Sequence, residues 1–353
     1  MWLTPPTRSP AAFALADAIV VGAGICGASA AHFLAERGRD VLVIDRAGVS
    51  EGTTGRGEGN VLVCDKLPGY ERDMTVLGRE LWNTLGAAFP EARVTRKGAL
   101  LLDHPGGAPA GDREPALAPG VRCVCEPADL QVDAAGLARA LLAGMEVRTG
   151  SEVVAVQDRA VRLASGERLT ARDVVVATGP WARELTGLPV EPRKGQLVAL
   201  AAPPGLIRHK LIEAAYIQTA ASGEPGRMIA AVIEQTLDGD EVLVGSSRER
   251  VGFDDRVDPE LTRAMLGRAT RFVPVLAELP LRRAWCGFRP WTPDGLPAVG
   301  GVADGVWVTC GHEGSGVALG PVSGLLVAQL ISGEAPACDP GPLDPSRFAA
   351  DCI

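Results

Sequence analysis

The stretch DAIVVGAGICGASAAHFLAERGRDVLVIDR, residues 17–46, contains in order the parts of a dinucleotide-binding βαβ unit. A short apolar run, residues 18–21, suits a buried parallel strand and leads into Gly22, Gly24 and Gly27 with Gly-x-Gly-x-x-Gly spacing. In such a unit the first glycine allows a tight turn, and the second lets a pyrophosphate approach the backbone. The third lets the next helix pack closely on the strand.

The remainder of the stretch distinguishes this unit from a common glycine-rich turn. Small and apolar residues after Gly27 suit a helix packed on a sheet, and residues 41–44 suit a second strand. Asp45 follows about 20 residues after the turn, where an acidic side chain can accept hydrogen bonds from an adenosine ribose. The start of the helix would offer N–H groups and a positive dipole end to phosphates. The stretch therefore predicts nucleotide binding.

Length and composition define the protein class. A chain of 353 residues exceeds one usual core, so we expect two domains or one elaborated α/β domain. The formal net charge of −8 gives no electrostatic reason to expect a nucleic-acid partner. Eight scattered cysteines include no Cys-x-x-Cys pair, and the four histidines lack metal-ligand spacing, so we expect no bound metal and no iron–sulfur centre in this chain.

Targeting segments are also not expected. Residues 314–331 are the nearest match to a membrane span, but they contain several glycines and Pro321 and look like a buried helix. Residues 1–10 contain prolines where a signal peptide needs an apolar core. We therefore expect a cytoplasmic protein without a membrane span.

The rest of the chain alternates between two kinds of pattern. Short apolar runs predict strands up to residues 174–177, which lead into Thr178, Gly179, Pro180 and Trp181. Residues 101–122 are rich in Gly, Pro and Ala and predict a loop. Alternating stretches between residues 192 and 289 predict an antiparallel sheet, and a nucleotide-type strand and helix return at residues 306–331.

These patterns predict an α/β protein in which a Rossmann-like domain contains an inserted, mainly antiparallel sheet domain (α+β). The Rossmann-like domain is expected to be discontinuous, comprising residues 15–75, 130–190 and 286–335. The inserted domain takes residues 76–129 and 191–285. Terminal tails, residues 1–14 and 336–353, are expected to be loosely held.

Three further blocks establish a resemblance to a known family. ATGPW at residues 177–181, GFRPWTPDG at 287–295 and GHEGSG at 311–316 follow the opening unit in an order similar to that of FAD-dependent amine oxidoreductases. D-amino-acid oxidase, glycine oxidase and sarcosine oxidase typify this family, and the likeness covers almost the whole chain. The loop at residues 55–66 resembles the flavoprotein subunits of multi-subunit hydroxyproline, opine and cyanide-forming glycine dehydrogenases.

The resemblance implies FAD bound across the Rossmann-like domain. It assigns the pyrophosphate to the glycine turn, the adenosine to Asp45, Arg46 and the backbone near Val154, and the flavin to the later motifs. The residues implied in binding the cofactor are Gly22, Gly24, Ile25, Cys26, Gly27, Asp45, Arg46, Thr53, Thr54, Gly59, Asn60, Val154, Thr178, Gly179, Trp181, Gly311, Gly314, Ser315 and Gly316.

Arg289, Tyr216 and His312 are the candidate catalytic residues. A guanidinium at Arg289 can grip a substrate carboxylate through two parallel hydrogen bonds. The alternative is a structural ion pair with a carboxylate such as Asp294. Tyr216 can donate a hydroxyl to the same carboxylate or belong to the core, and His312 can touch flavin or substrate or be a structural histidine. Glu313 is expected to be favoured by the dipole of the following helix.

The family chemistry implied is oxidation of a C–N bond in a small amino or imino acid. Hydride transfer to flavin N5 gives an imine, which water hydrolyses, so positioning does most of the catalytic work. The amine must be neutral to react, and activity should therefore rise with pH.

Two departures from sarcosine oxidases refine this expectation. Their flavin-tethering cysteine corresponds to Gly287, with Cys286 one residue away, so we expect noncovalent FAD. Their oxygen-activating lysine lies in the second half of the chain, whereas all lysines here precede residue 211. We therefore expect a dehydrogenase that passes electrons to partner subunits, such as a second flavoprotein and an iron–sulfur protein. The alternatives are a peroxide-forming oxidase, a non-catalytic flavin-binding subunit and an NAD-dependent dehydrogenase, which fits the opening unit alone.

Overall fold

The protein is described by a computed structural model for residues 16–217 and 226–351. Its helices and strands are, in chain order, β1 (Ala16–Val21), α1 (Ile25–Glu36), β2 (Val41–Ile44), β3 (Asn60–Val61), α2 (Tyr70–Ala88), β4 (Ala99–Leu102), β5 (Ala108–Pro109), β6 (Arg122–Glu126), β7 (Leu130–Gln131), α3 (Ala134–Leu141), β8 (Glu146–Arg148), β9 (Val153–Gln157), β10 (Ala160–Leu163), β11 (Arg168–Val176), α4 (Ala182–Thr186), β12 (Glu191–Ala201), β13 (Lys210–Glu213), β14 (Met228–Gln235), β15 (Glu241–Arg248), α5 (Pro259–Thr270), β16 (Leu281–Trp291), β17 (Ala298–Ala303), β18 (Val306–Cys310) and α6 (Gly316–Ser332).

The first sheet has the order β17-β18-β11-β1-β2-β8. Its inner pairings are all parallel, edge strand β17 is antiparallel, and the β9–β10 hairpin extends from β11. Strands such as β2 are continuous buried apolar runs because both faces of the sheet are covered. Helices α1, α2, α3 and α6 form the core on one face, and the hairpin contributes to the core on the other.

The second sheet has the order β16-β12-β15-β14-β13-β4-β6-β5. It is antiparallel except where β13 pairs in parallel with β4. Residues of β12 alternate between its faces: Val198 and Leu200 pack toward α5, whereas Gly195 and Leu197 face a cavity. The predicted α/β class with an added, mainly antiparallel sheet is therefore confirmed.

The helix predicted at residues 314–331 is the core helix of the first sheet. Within the described ranges, Glu313–Ser332 is the one helical stretch with the length and composition of a membrane span, and 61% of its apolar segment is buried inside the protein. Gly324 allows its close packing on α1, because a Cβ there would lie 2.5 Å from the Cβ of Ser29. Burial against neighbouring helices accounts for its apolar sequence.

Several segments lie elsewhere than the sequence predicts. The predicted loop at residues 101–122 includes parts of β4 and β6 and all of β5, and was missed because these strands are short and separated by Gly and Pro. Residues 70–88 form α2, whose Trp82 packs in the core of the first sheet, although most of this helix was predicted to belong to the inserted domain. Strand β16 extends the second sheet to residue 291.

The C-terminal segment is docked and not loosely held. Leu343 is 0% exposed and Phe348 is 4% exposed. Arg347 pairs with Asp294 at 2.7 Å, which fastens the segment to the turn after β16. The expectation of a loose tail is therefore wrong for residues 341–348, while residues 1–14 lie outside the described part of the chain.

Candidate functional site

A cavity of about 580 Å³ lies between the two sheets. Its first side is formed at the carboxyl ends of β1, β2 and β11, where parallel sheets usually bind ligands. Its second side is the face of the second sheet that carries Gly195, Leu197 and Arg289. This volume is within the usual range for small-molecule sites.

Backbone packing explains the glycines of the opening motif. Gly22 has φ +110°, and a Cβ there would lie 2.4 Å from the carbonyl oxygen of Ala177. A Cβ on Gly27 would lie 1.9 Å from the carbonyl oxygen of Gly22. Gly22 and Gly24 line the cavity, whereas Gly27 serves the close approach of α1 to the strand.

The loop at residues 53–60 fastens the start of α1 to the second sheet. Thr54 Oγ1 accepts a hydrogen bond from the backbone N–H of Ile25 at 3.1 Å, so this N–H at the helix start is already engaged. Thr53 Oγ1 donates to the carbonyl oxygen of Phe288 at 2.7 Å. Both threonines line the cavity. The loop therefore positions the dinucleotide turn relative to β16.

Asp45 lines the cavity and braces the glycine turn. Its carboxylate accepts from the N–H groups of Ala23 and Ala47, each at 2.8 Å. Carboxylate oxygens can accept further hydrogen bonds, so a contact with a ribose stays a prediction. The guanidinium of Arg46 lies 3.7 Å from the ring centre of Trp181, and both residues line the cavity mouth.

The structure brings most of the predicted site residues together. Among the predicted residues, those that line the cavity are Gly22, Gly24, Ile25, Cys26, Asp45, Arg46, Thr53, Thr54, Gly59, Asn60, Thr178, Gly179, Trp181, Tyr216, Arg289, His312, Gly314, Ser315 and Gly316. Gly27, Val154 and Gly311 do not line it. Val153 occupies the place expected for Val154, and Gly311 has φ +78° and packs against Thr292.

Arg289 is a half-buried residue whose guanidinium lies in the cavity wall. It donates from Nη1 to the carbonyl oxygen of Ser247 at 3.0 Å and approaches Ser246 Oγ at 3.5 Å. Gly195 on the neighbouring strand makes room, because a Cβ there would lie 2.2 Å from Nη1. The predicted alternative, a pair with Asp294, is wrong because Asp294 pairs with Arg347.

Glu313 is the counter-ion of neighbouring arginines. Its carboxylate lies 3.4 Å from Arg193 and 3.2 Å from Arg248, and its side chain is 12% exposed. Burial alone would raise the pKa of Glu313, but the charges of Arg248, Arg289 and Arg193 outweigh it and hold the pKa below its usual value. The expected dipole effect is therefore secondary to this arginine cluster.

Tyr216 joins the same cluster. Its hydroxyl accepts a hydrogen bond from Arg248 at 2.8 Å, and the Arg248 guanidinium lies 4.5 Å from its ring centre. Sequence reasoning missed Arg193 and Arg248. Both lie in short polar runs, EPRK at residues 191–194 and SSRER at residues 246–250, where arginine is usually exposed, so the sequence offered no signal for them.

His312 fits the structural alternative better than a catalytic role. It is 3% exposed, and its Nε2 lies 3.0 Å from the hydroxyl of Ser323. Its Nδ1 lies 3.7 Å from the sulfur of Cys26, so the ring links α1 to α6. Burial lowers the pKa of His312 to about 4, so the ring is neutral near pH 7.

Two lysines line the cavity, although both precede residue 211. Lys66 pairs with Asp65 at 2.5 Å, and Lys210 pairs with Glu58 at 2.7 Å and with Glu234 at 3.3 Å. The order of the lysines along the chain therefore does not decide whether a lysine reaches the site, because the loop after β3 and β13 bring Lys66 and Lys210 to it. The choice between oxygen and partner proteins as electron acceptor stays a prediction.

Cys286 points away from the cavity. Its sulfur lies 3.6 Å from the carbonyl oxygen of Arg256, while Gly287, the next residue on the strand, faces the cavity. Cys26 does line the cavity, but burial raises the pKa of its thiol to about 12 and keeps it protonated. Among the described residues, no group of three or more His, Cys, Asp and Glu side chains is arranged to hold a metal ion.

A dinucleotide-type turn that opens into a cavity between two sheets is the arrangement of a cofactor-dependent enzyme. The family model for FAD-dependent oxidoreductases matches residues 17–118 and 106–330, and the chain belongs to that family. Similar proteins include the bifunctional protein ThiO/ThiG of Nostoc sp., 33% identical over 58% of this chain and 31% of the relative. Hydrogen cyanide synthase subunit HcnC of Pseudomonas aeruginosa is 33% identical over 58% of this chain and 48% of the relative.

The chain thus spans less than half the length of either curated relative. Among solved structures, glycine oxidase from Geobacillus kaustophilus has a TM-score of 0.82 and 26% identity, and the match covers 94% of this chain and 98% of that chain. These findings confirm the family, the FAD cofactor and the Rossmann-like fold predicted from the sequence motifs.

The cavity has features that fit FAD. Gly22 and Gly24 leave the turn without side chains where a pyrophosphate would approach. Thr178 lies on the cavity wall, and its buried hydroxyl has no hydrogen-bond partner among the described residues. Gly314 and Gly316 leave the start of α6 open, and a helix N-terminus favours negative charge.

Proposed function

We propose that the protein oxidises the C–N bond of a small amino or imino acid. The observation that carries this proposal is the position of the Arg289 guanidinium and its lack of a directly paired carboxylate. This guanidinium lies partly buried in the cavity wall, and within the described ranges no carboxylate pairs with it directly. A partly buried cation without a paired anion favours an anionic ligand, and a planar guanidinium suits a carboxylate.

The surrounding charges support this role. Arg248 lies close enough to Arg289 that its charge, together with burial, lowers the pKa of Arg289. A substrate carboxylate bound at Arg289 would offset this repulsion between the two guanidinium groups. Tyr216, whose hydroxyl accepts from Arg248, retains its own hydroxyl hydrogen and can donate it to the same carboxylate. Arg289 and Tyr216 are thus the proposed substrate-binding residues, and His312 is a positioning residue.

The cofactor's place is proposed from the same cavity. Residues of the glycine turn would hold the pyrophosphate, Asp45 and Arg46 the adenosine, and the start of α6 the flavin. Bound FAD supplies the two-electron acceptor for the substrate hydride. The contribution of the chain is to fix the carboxylate at Arg289 and so orient the adjacent C–H bond.

Proton handling needs little from the protein. The neutral ring of His312 is engaged with Ser323 and Cys26, so it is not free to accept the substrate proton. The substrate amine would lose its proton to solvent before reaction. Activity is therefore expected to rise with pH as the neutral amine becomes available.

We propose noncovalent FAD, because Gly287 provides no sulfur on the cavity side and Cys286 faces the opposite way. Precipitation with acid tests this proposal. The yellow colour should remain in the supernatant for this chain, whereas colour that stays with the precipitated protein would contradict it.

For the electron acceptor we propose partner redox proteins, a second flavoprotein and an iron–sulfur protein. The lysine argument no longer excludes oxygen, but both cavity lysines are ion-paired, which leaves little uncompensated charge at their ammonium groups. The similarity to a synthase subunit also supports a partner-dependent enzyme. An oxidase that forms hydrogen peroxide is the alternative, because lysines do line the cavity.

The rate at which air reoxidises the reduced flavin, compared with the rate for an artificial electron acceptor, distinguishes an oxidase from a dehydrogenase. We expect reoxidation by air to be the slower of the two.

Anaerobic titration with amino and imino acids tests the main proposal. At least one such compound should bleach the flavin absorbance, and the matching amine that lacks the carboxylate should bleach it far more slowly. If a broad panel in both enantiomers leaves the colour unchanged, the protein is a non-catalytic flavin-binding subunit.

A further inference from the structure

The part of the cavity on the second sheet contains ionisable side chains in apolar surroundings. Lys210 is 1% exposed, lines the cavity and donates to Glu58 Oε2 at 2.7 Å and to Glu234 Oε2 at 3.3 Å. Glu58 also lines the cavity, and its side chain is 15% exposed. The apolar residues that line the same part are Leu62, Leu197, Ile212 and Val232.

Hydrogen-bond acceptors outnumber donors among the side chains of Glu58, Asn60, Lys210 and Glu234. Glu58 Oε1 and Asn60 Oδ1 are both buried and have no partner among the described residues. Asn60 Nδ2 donates to Glu58 Oε2 at 3.3 Å, and this contact sets the orientation of the amide, because reversal would face two acceptors toward each other. Buried acceptors without partners are costly, so a donor is missing from this part of the cavity.

Glu58 and Arg289 approach the same face of the second sheet. A Cβ on Gly195 would lie 2.2 Å from Arg289 Nη1, and a Cβ on Gly245 would lie 3.4 Å from Glu58 Oε1 and 2.7 Å from Leu197 Cδ2. Gly195 and Leu197 are two positions apart on one strand, which is about 7 Å. This spacing suits an amino acid whose carboxylate lies at Arg289 and whose side chain extends a few atoms toward Glu58.

We propose that Glu58 and Asn60 form a side-chain subsite that selects amino or imino acids ending in a hydrogen-bond donor. Hydroxyl, amide and amine groups supply the missing donor, whereas a second carboxylate offers only acceptors and would face Glu58. The inference rests on the proposed function and specifies the substrate class of the same site.

Matched substrates test the subsite in the holoprotein. Rates of anaerobic flavin reduction are measured for serine against alanine, glutamine against glutamate, and 4-hydroxyproline against proline, in both enantiomers. The member with the donor should have the higher kcat/KM, by roughly 10-fold or more in the pair that best fits the cavity, since a polar site rejects analogues that leave it unpaired.

Two variants distinguish substrate selection by Glu58 from a purely structural role of its carboxylate. Glu58→Gln retains the volume but adds a donor, so the preference for glutamine over glutamate should fall by roughly 10-fold or more. Lys97→Met is the matched control. Lys97 lies 3.5 Å from Glu234, the acidic partner of Lys210, but does not line the cavity. The Lys97→Met variant should therefore leave the preference for glutamine over glutamate unchanged.

The outcomes are distinguishable. Equal rates within every matched pair overturn the inference, as does a Glu58→Gln variant that lowers kcat/KM by one factor for all substrates. Weaker FAD retention with an unchanged preference also overturns it, because the free oxygens would then serve the cofactor. Reduction by the non-donor members alone overturns only this inference, whereas no reduction by any amino or imino acid overturns the proposed function as well.

Discussion

Replacement of Arg289 by methionine is expected to abolish most of the carboxylate binding while leaving the fold intact. The guanidinium lies in the cavity wall and contacts a carbonyl and a hydroxyl, so its removal breaks no ion pair within the described ranges. It also removes a charge that repels Arg248, since burial and Arg248 are the effects that lower the pKa of Arg289. The melting temperature should therefore stay near that of the wild type.

The expected loss of activity follows from the charges that remain. Removing one partner of a buried charge pair costs about 3–5 kcal/mol. The charge of Arg248 still acts at the site and retains some attraction for an anion, so the loss should lie near the lower end of that range. A cost of about 3 kcal/mol corresponds to roughly 100-fold in kcat/KM.

Steady-state kinetics with an artificial electron acceptor measure this loss. Arg289→Lys keeps the charge without the two-pronged geometry, so its kcat/KM should fall between those of the wild type and the methionine variant. The matching amine without a carboxylate serves as the control substrate, and Arg289→Met should oxidise it no more slowly than the wild type does. The reasoning is refuted if the variant loses the same factor on both compounds, or retains full activity on the amino acid.

Three further changes test other parts of the site. Gly22→Ala should prevent FAD binding, measured by flavin content after reconstitution, because the added Cβ would lie 2.4 Å from the Ala177 carbonyl oxygen at φ +110°; a yellow variant would contradict this. Glu313→Gln should destabilise the protein by about 3 kcal/mol in urea unfolding, because two buried guanidinium groups lose their counter-ion; unchanged stability would show that the cluster is compensated elsewhere. His312 should lower the free energy of unfolding of the wild type by about 3 kcal/mol as pH falls from 6.5 to 4. Its pKa is about 4 in the folded protein and near 6.5 in the unfolded chain, so the unfolded chain binds the proton more readily. A His312→Gln variant should lack that component of the pH dependence, and an equal slope in both proteins would refute the assignment.

The sequence predicted the parts of the site that depend on local pattern. The turn from Gly22 to Gly27 requires particular residues at fixed spacing, because backbone atoms approach within the space of a side chain. Arg289 was predicted because its motif is distinctive. These features are encoded within a few neighbouring residues, and the structure brings the two motifs to the same cavity.

The missed features depend on contacts between distant segments. Lys66 and Lys210 reach the cavity through the loop after β3 and through β13, so their order along the chain does not predict their place in space. The Glu313 cluster unites residues from β12, β15 and the start of α6. Likewise, β4 is recognisable as a strand chiefly because β13 and β6 pair with it.

A crystal structure of the holoprotein with a bound carboxylate inhibitor tests the central claim most directly. The account predicts FAD along the Gly22 turn and the inhibitor's carboxylate within hydrogen-bond distance of the Arg289 guanidinium. An inhibitor bound in the cavity with its carboxylate away from Arg289, or FAD bound outside the cavity between the two sheets, would contradict it.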